Sequence, residues 1–135
     1  MTDRQIAIVK RTWKIFREID PVLIGDVFYS KLFSDAPHVR SMFTTARSVQ
    51  SRKLVDMLSL ILGRLDKLEE VTEEIRQLAI RHKGYGVKLR HYDLVGDALI
   101  WTLKQGLGRD WNEEVEEAWR VCYKTFSDVM REAVA

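Results

Sequence analysis

The sequence predicts an all-α fold, and three observations carry that prediction. Chain breakers are scarce: 135 residues hold only two prolines, Pro21 and Pro37, and seven glycines. No Asn-Gly or Asp-Gly pair is present to turn a hairpin, and no stretch alternates as a half-buried strand would. Apolar residues recur instead at helical spacing behind capping signals. The bulk composition agrees with one compact domain over residues 1–135, with 46% hydrophobic and 31% charged residues. The net charge of +2 sets up no strong field for nucleic acid.

The elements follow in order. Thr2 and Gln5 form a capping-box pattern, and an amphipathic run continues through Val9, Trp13 and Phe16. Asp20-Pro21 stops that helix and opens a second, carrying Leu23, Val27, Phe28, Leu32 and Phe33 to about Ser34. Pro37 starts a short turn of helix ending near Phe43. Thr44 to Ser48 is polar and reads as a loop. A longer helix is expected from about Val49 to Leu65. The acidic stretch from Glu69 to Glu74 suits the next helix N-terminus through the macrodipole, and Gly84 and Gly86 mark its end. Another helix runs from about Leu89 to Lys104 and stops at Gly106 or Gly108. Asp110 with Glu113 is expected to cap the last helix, which continues through Trp119, Cys122, Phe126 and Val129. Helices of such unequal length suit an irregular α fold with steep crossings, and Gly25 with Ser51 would let two axes approach closely.

Little chemistry is available from the side chains themselves. A single cysteine, Cys122, excludes an internal disulfide and a multi-cysteine zinc site. It lies on the apolar side of its helix and reads as packing. Three histidines are too few for most multi-histidine sites. The N-terminus mixes charges through its apolar residues and is no signal peptide. The stretch from Met57 to Leu62 is far short of the ~20 residues that span a bilayer. The expected compartment is the cytoplasm, with no membrane partner. Trp101, Trp111 and Trp119 read as helix packing, with a dimer surface as the alternative.

His82 is the residue of interest. It ends the stripe Val71, Ile75, Leu78, Ala79, His82, which is one face of one helix. A core histidine bonded to a carbonyl is the plain reading. The sharper reading is an axial ligand to haem, which needs only one protein ligand. His38 and His91 are weaker candidates, each beside an arginine and expected to be exposed. Gln50, Leu54, Leu58 and Ile61, with Met57, form a facing wall on the long helix. The second helix offers Tyr29 among Phe28, Leu32 and Phe33. Tyr29 and Gln50 either satisfy each other and the backbone, or aim two donors at a ligand.

At this point the chain resembles the bacterial single-domain globins, the haem domain of flavohaemoglobins and, more distantly, neuroglobin-type globins. The pieces that match are Arg81-His-Lys-Gly-Tyr-Gly-Val-Lys, then Tyr92, then Val95-Gly-Asp-Ala-Leu-Ile-Trp-Thr-Leu. Further pieces are Phe28-Tyr29, Leu32-Phe33, Pro37, Met42-Phe43, Gln50-Ser-Arg-Lys-Leu54, Ala118-Trp119 and Tyr123. The resemblance covers Val9 to about Met130. It implies a three-over-three helical sandwich of seven to eight helices, with a short third helix and no clear fourth.

The resemblance also implies haem b as cofactor. His82 matches the proximal iron ligand, and Phe43 the residue wedged against the haem plane. Tyr29 and Gln50 match the distal pair that hydrogen-bonds bound O2. Leu54, Leu58, Val87, Val95 and Leu99 match pocket wall, and Tyr92 a proximal-side tyrosine. Lys53 and Arg81 sit where basic residues reach the propionates. Val134 stands where the family's proximal glutamate is expected, and Glu132, roughly 200° round the helix, is a poor stand-in. The expected ligands are O2, NO and CO. Each distal donor would stabilise bound O2 by ~1–3 kcal/mol, so release slows. Slow release favours storage, or nitric oxide dioxygenation with a separate reductase, in a monomer or weak homodimer. A gas or redox sensor and a haem-free interaction module are the competing readings.

Overall fold

The structure, a computed structural model, describes residues 1–84 and 86–134. Six α-helices are present: α1 (Asp3–Phe16), α2 (Pro21–Asp35), α3 (Arg47–Gly63), α4 (Thr72–Gly84), α5 (Leu89–Leu107) and α6 (Glu113–Val134). Three 3-10 segments, Pro37–Met42, Leu65–Glu70 and Gly108–Asp110, join them, and the described residues contain no strand.

The caps explain most boundaries. Thr2 Oγ1 accepts from the Gln5 amide at 3.1 Å, and Gln5 Oε1 accepts from the Thr2 amide at 2.9 Å, so the box is complete. Asp20 Oδ1 accepts from the Val22 amide at 2.8 Å, with Pro21 at the first helical position. Gly108, at φ +50°, ends α5.

Three expected boundaries differ. α3 begins at Arg47, inside the segment expected to be a loop. Its first turn is polar and exposed, so it carries no apolar period, and Ser51 Oγ donates to the Arg47 carbonyl at 2.7 Å. α3 also ends at Gly63, and Leu65 belongs to a 3-10 segment that carries Glu69 and Glu70 as well. Finally, Asn112 rather than Asp110 caps α6, its Oδ1 accepting from the Val115 amide at 2.9 Å. Asp110 is taken up in the preceding 3-10 turn.

Packing arranges the helices in crossed pairs: α2 against α3 and α5, α4 against α6, and α1 against α6. The α2–α3 crossing is set by two small residues. A Cβ on Gly25 would lie 1.6 Å from Ser51 Oγ and 2.2 Å from its Cβ. The α5–α6 crossing uses Gly96, where a Cβ would lie 2.5 Å from the Tyr123 ring. The α1–α6 contact is built on Trp13 and Trp119, with ring centroids 6.1 Å apart. Trp119 Nε1 donates to Thr12 Oγ1 at 2.9 Å, and that hydroxyl donates onward to the Ile8 carbonyl at 2.7 Å. Both polar groups are therefore satisfied inside the core, as burial requires. Cys122 is buried and its thiol is pushed up to about 12 by desolvation, so it is packing, as expected. Trp119 is core, whereas Trp111 is half-buried and Trp101 is 39% exposed beneath Lys31 Nζ, against expectation.

Candidate functional site

The predicted residues fall into two groups, one beside α2 and α3 and one on α4. The first is on α2 and α3. One turn along α2 from Gly25, Tyr29 is 3% exposed. Its ring packs at 5.9 Å from Phe33 and 5.2 Å from Phe43, and the latter two rings lie 5.4 Å apart. Gln50 comes from the first turns of α3. The three-ring cluster and Gln50 border a cavity of about 160 Å³, whose other lining residues are Arg40, Thr45 and Arg47. Burial pushes the Tyr29 phenol up to about 12, while a hydrogen bond with Gln50 and the charge of Arg47 act the other way. At neutral pH Tyr29 is thus a protonated donor. Tyr29, Gln50 and Phe43 are brought together as the sequence implied.

The second group centres on His82, in the last turn of α4. Its Nδ1 lies 2.8 Å from the Leu78 carbonyl oxygen. A carbonyl only accepts, so Nδ1 carries the proton and Nε2 carries the ring lone pair. Burial holds His82 below the usual histidine range, the Leu78 bond opposes this, and Arg81 adds to it. The result is a neutral imidazole of fixed tautomer and orientation, the form in which histidine ligates a metal. His82 is not among the residues lining the small cavity.

Of the other predicted site residues, Leu58, Tyr92 and Leu99 are buried. Leu54 and Val95, on α3 and α5, are only half-buried although they pack against the core, and Val87, in the connection between α4 and α5, is half-buried too. Lys53 and Arg81 are exposed. Tyr85, inside the matching motif, lies outside the described residues.

Sequence reasoning missed several residues here. Arg40 and Arg47 both stack on Phe33, with guanidinium carbons 5.9 Å and 5.7 Å from the ring centroid. The spacing of Arg47, three residues before Gln50 on one helix, was a usable signal. Arg40 comes from a different element and had none. On the other side, Tyr123 Oη donates to the Tyr92 carbonyl, and Arg131 covers the Tyr92 ring at 5.5 Å while bonding Asp93 at 3.1 Å. His91 is also corrected: it is 3% exposed, not a surface residue. Its Nδ1 accepts from the Lys88 amide at 2.8 Å, which turns the ring inward beside His38.

A larger groove of about 660 Å³ runs between the ends of α5 and α6. It is lined mostly by surface charges, including Glu116 and Arg120, which pair with each other, and contains none of the predicted site residues. Among the described residues no group of three or more histidine, cysteine or carboxylate side chains could hold a bare metal ion. No helix there is long and apolar enough to cross a membrane.

Comparison with known proteins decides the family. The globin family model matches residues 26–130. The chain belongs to the globin family. A flavohemoprotein of Oceanobacillus iheyensis is 27% identical over 96% of this chain, which spans 34% of that protein's length. The chain thus spans about a third of the flavohemoproteins it matches. A solved bacterial globin from Campylobacter jejuni is 27% identical, covers 97% of both chains and superposes with a TM-score of 0.81. An engineered carbene transferase from Rhodothermus marinus is 25% identical, with a TM-score of 0.85 over 96% of this chain and 90% of that one.

As a globin this protein binds haem, and the donor set fits that cofactor. It offers one neutral, oriented imidazole on α4. Half-buried aliphatic side chains on the inward faces of α3 and α5 suit the flat apolar macrocycle. Hydrogen-bonding groups face a small cavity on the α2–α3 side.

Proposed function

We propose that this globin binds O2 and combines it with nitric oxide to give nitrate, using electrons from a separate reductase. Haem supplies the iron centre that binds diatomic gases and exchanges electrons. His82 would hold the iron in this reading, and the Leu78 carbonyl, 2.8 Å from Nδ1, orients the ring and leaves Nε2 as the ligating nitrogen. Phe43, Leu54, Leu58, Val87, Val95 and Leu99 would form its apolar surroundings, with Tyr92 on the His82 side and Lys53 and Arg81 toward the carboxylates.

The observation that carries the reading is the meeting of Tyr29 and Gln50 in one small cavity against Phe43. Tyr29 keeps its proton at physiological pH because burial disfavours the phenolate. A diatomic ligand acquiring negative charge in that cavity would receive hydrogen bonds from both side chains. Each is worth ~1–3 kcal/mol, so together they slow ligand release by one to several powers of ten. A slowly released O2 suits consumption better than delivery. The overall conversion, NO with O2 and one electron to nitrate, balances with one electron drawn from the reductase per turn. The Rhodothermus protein, described as a putative nitric oxide dioxygenase, supports the same chemistry. Family membership sets aside the haem-free module.

The test is nitric oxide consumption by the oxygenated protein over repeated cycles with a reductase. Nitrate should form in step with each cycle. A single stoichiometric burst with no further turnover would refute the enzymatic reading and leave storage or sensing. His82→Ala should lose haem absorption, and Tyr29→Phe should raise O2 dissociation by about tenfold or more.

A further inference from the structure

The lining of the cavity beside Tyr29 and Gln50 holds more than those two residues require. Arg40, from the 3-10 segment Pro37–Met42, and Arg47, from the first turn of α3, both border it, with Thr45 between them in sequence. Both guanidiniums rest on the Phe33 ring, at 5.9 Å and 5.7 Å. A guanidinium held against a ring by its charge keeps its N–H groups available for other partners. Neither charge is strongly neutralised. Arg40 has no ion pair among the described residues, and Arg47 meets Asp26 only at 3.9 Å. Some other arginines of this chain are closely paired, as with Arg4 and Glu114 at 2.8 Å, so these two charges are left more available than those.

We infer that Arg40 and Arg47 form a binding site for a small planar oxyanion, nitrate or nitrite, at the mouth of the Tyr29–Gln50 cavity. A guanidinium presents parallel N–H groups that match a planar oxyanion in bidentate fashion. The cavity volume of about 160 Å³ leaves room for such an ion. Thr45 adds a hydroxyl to the same lining. The inference rests on the reading of Tyr29 and Gln50 as the gas-binding side of the pocket. It makes the cavity mouth the route by which an anionic product leaves, or an anionic substrate enters. The same guanidinium chemistry would also accept a haem carboxylate, and the experiment separates the two sources.

The experiment uses haem-loaded protein with carbon monoxide on the reduced iron, so that added anions cannot bind the metal. Sodium nitrate and sodium nitrite are titrated by calorimetry and by amide chemical shifts at constant ionic strength, with a bulky sulfonate as control. Saturable binding is expected for nitrate and nitrite and not for the sulfonate. Shifts should be centred on residues 40–50. Arg40→Gln and Arg47→Gln should each weaken binding by about tenfold, with haem content and the carbon monoxide spectrum unchanged. Binding that does not saturate, or that survives both substitutions, overturns the proposal. So does a loss of haem in these variants, which would assign the guanidiniums to the cofactor's carboxylates. Protein that takes up no haem at all is a different result, and it defeats the functional reading on which the site depends.

Discussion

Gly25→Ala tests how the helix crossing controls the candidate site. The added Cβ would lie 1.6 Å from Ser51 Oγ, 2.2 Å from Ser51 Cβ and 3.0 Å from Ser51 Cα. Rotating the Ser51 hydroxyl relieves only the first contact and sacrifices its 2.7 Å bond to the Arg47 carbonyl. An ordinary carbon contact needs ~3.5–4.0 Å, so α2 and α3 must separate by about 1 Å or more. Overpacking of this kind costs ~1–3 kcal/mol, and the helix propensity gained on leaving glycine returns only ~0.5–1 kcal/mol. A net loss of about 1–2 kcal/mol lowers Tm by roughly 4–8 °C. Tyr29 lies one turn along α2, and Gln50 is next to Ser51, so the same displacement pulls the two apart. O2 dissociation should then quicken by about tenfold, as expected when a ~1–3 kcal/mol hydrogen bond is weakened. Urea unfolding of the haem-loaded protein and stopped-flow O2 release read the two effects. Ser51→Gly in the same chain removes both offending atoms and should restore much of each loss. A Gly25→Ala protein with wild-type stability and release rate, or a double variant with no recovery, would refute this account.

Two further predictions concern protons. His91 uses Nδ1 to accept from the Lys88 amide, its Nε2 is buried without a hydrogen-bond partner, and burial, Arg90, His38 and Lys88 all hold its affinity for protons below the free value. Because the unfolded chain then binds the proton more readily than the folded one, stability is full above the unfolded value of 6.5 and falls as the pH drops below it. His91→Gln should flatten that part of the stability profile of the haem-loaded protein; an unchanged profile in urea titrations would sink the assignment. Tyr29, with its phenol pushed up to about 12, should keep donating through pH 10, so O2 release should show no alkaline step near the usual tyrosine value. A step at pH 10 in stopped-flow traces would contradict the burial of that hydroxyl.

Local chemistry written in consecutive residues was legible from the sequence. The Thr2–Gln5 box, Asp20-Pro21 and the stripe ending in His82 all depend on spacing within one helix; the first two are present, and α4 carries the stripe from Ile75 onward, with Val71 just before its first residue. The pairing of Gly25 with Ser51 was also anticipated, because two small residues let helix axes approach closely. Where periodicity was absent, the sequence misled: the polar first turn of α3 and the 3-10 segment Leu65–Glu70 carry no apolar stripe. His91 misled for a related reason. A neighbouring arginine suggested exposure, but the Lys88 amide fixes the imidazole inward while Arg90 stays outside.

The sequence by itself thus determined the helical class, most of the helix ends, and the types of side chain available for a haem site. Tertiary structure decided which of them meet. Arg40, Phe33 and Arg47 come from three elements and share one cavity only because Gly25 lets α2 lie close against α3. It also decided the state of each group. His82 is neutral with Nε2 as its acceptor because Nδ1–H donates to a carbonyl four residues back and the core strips away water. Hydrogen-bond geometry and desolvation depend on everything packed around a side chain, and spacing along one chain does not encode them.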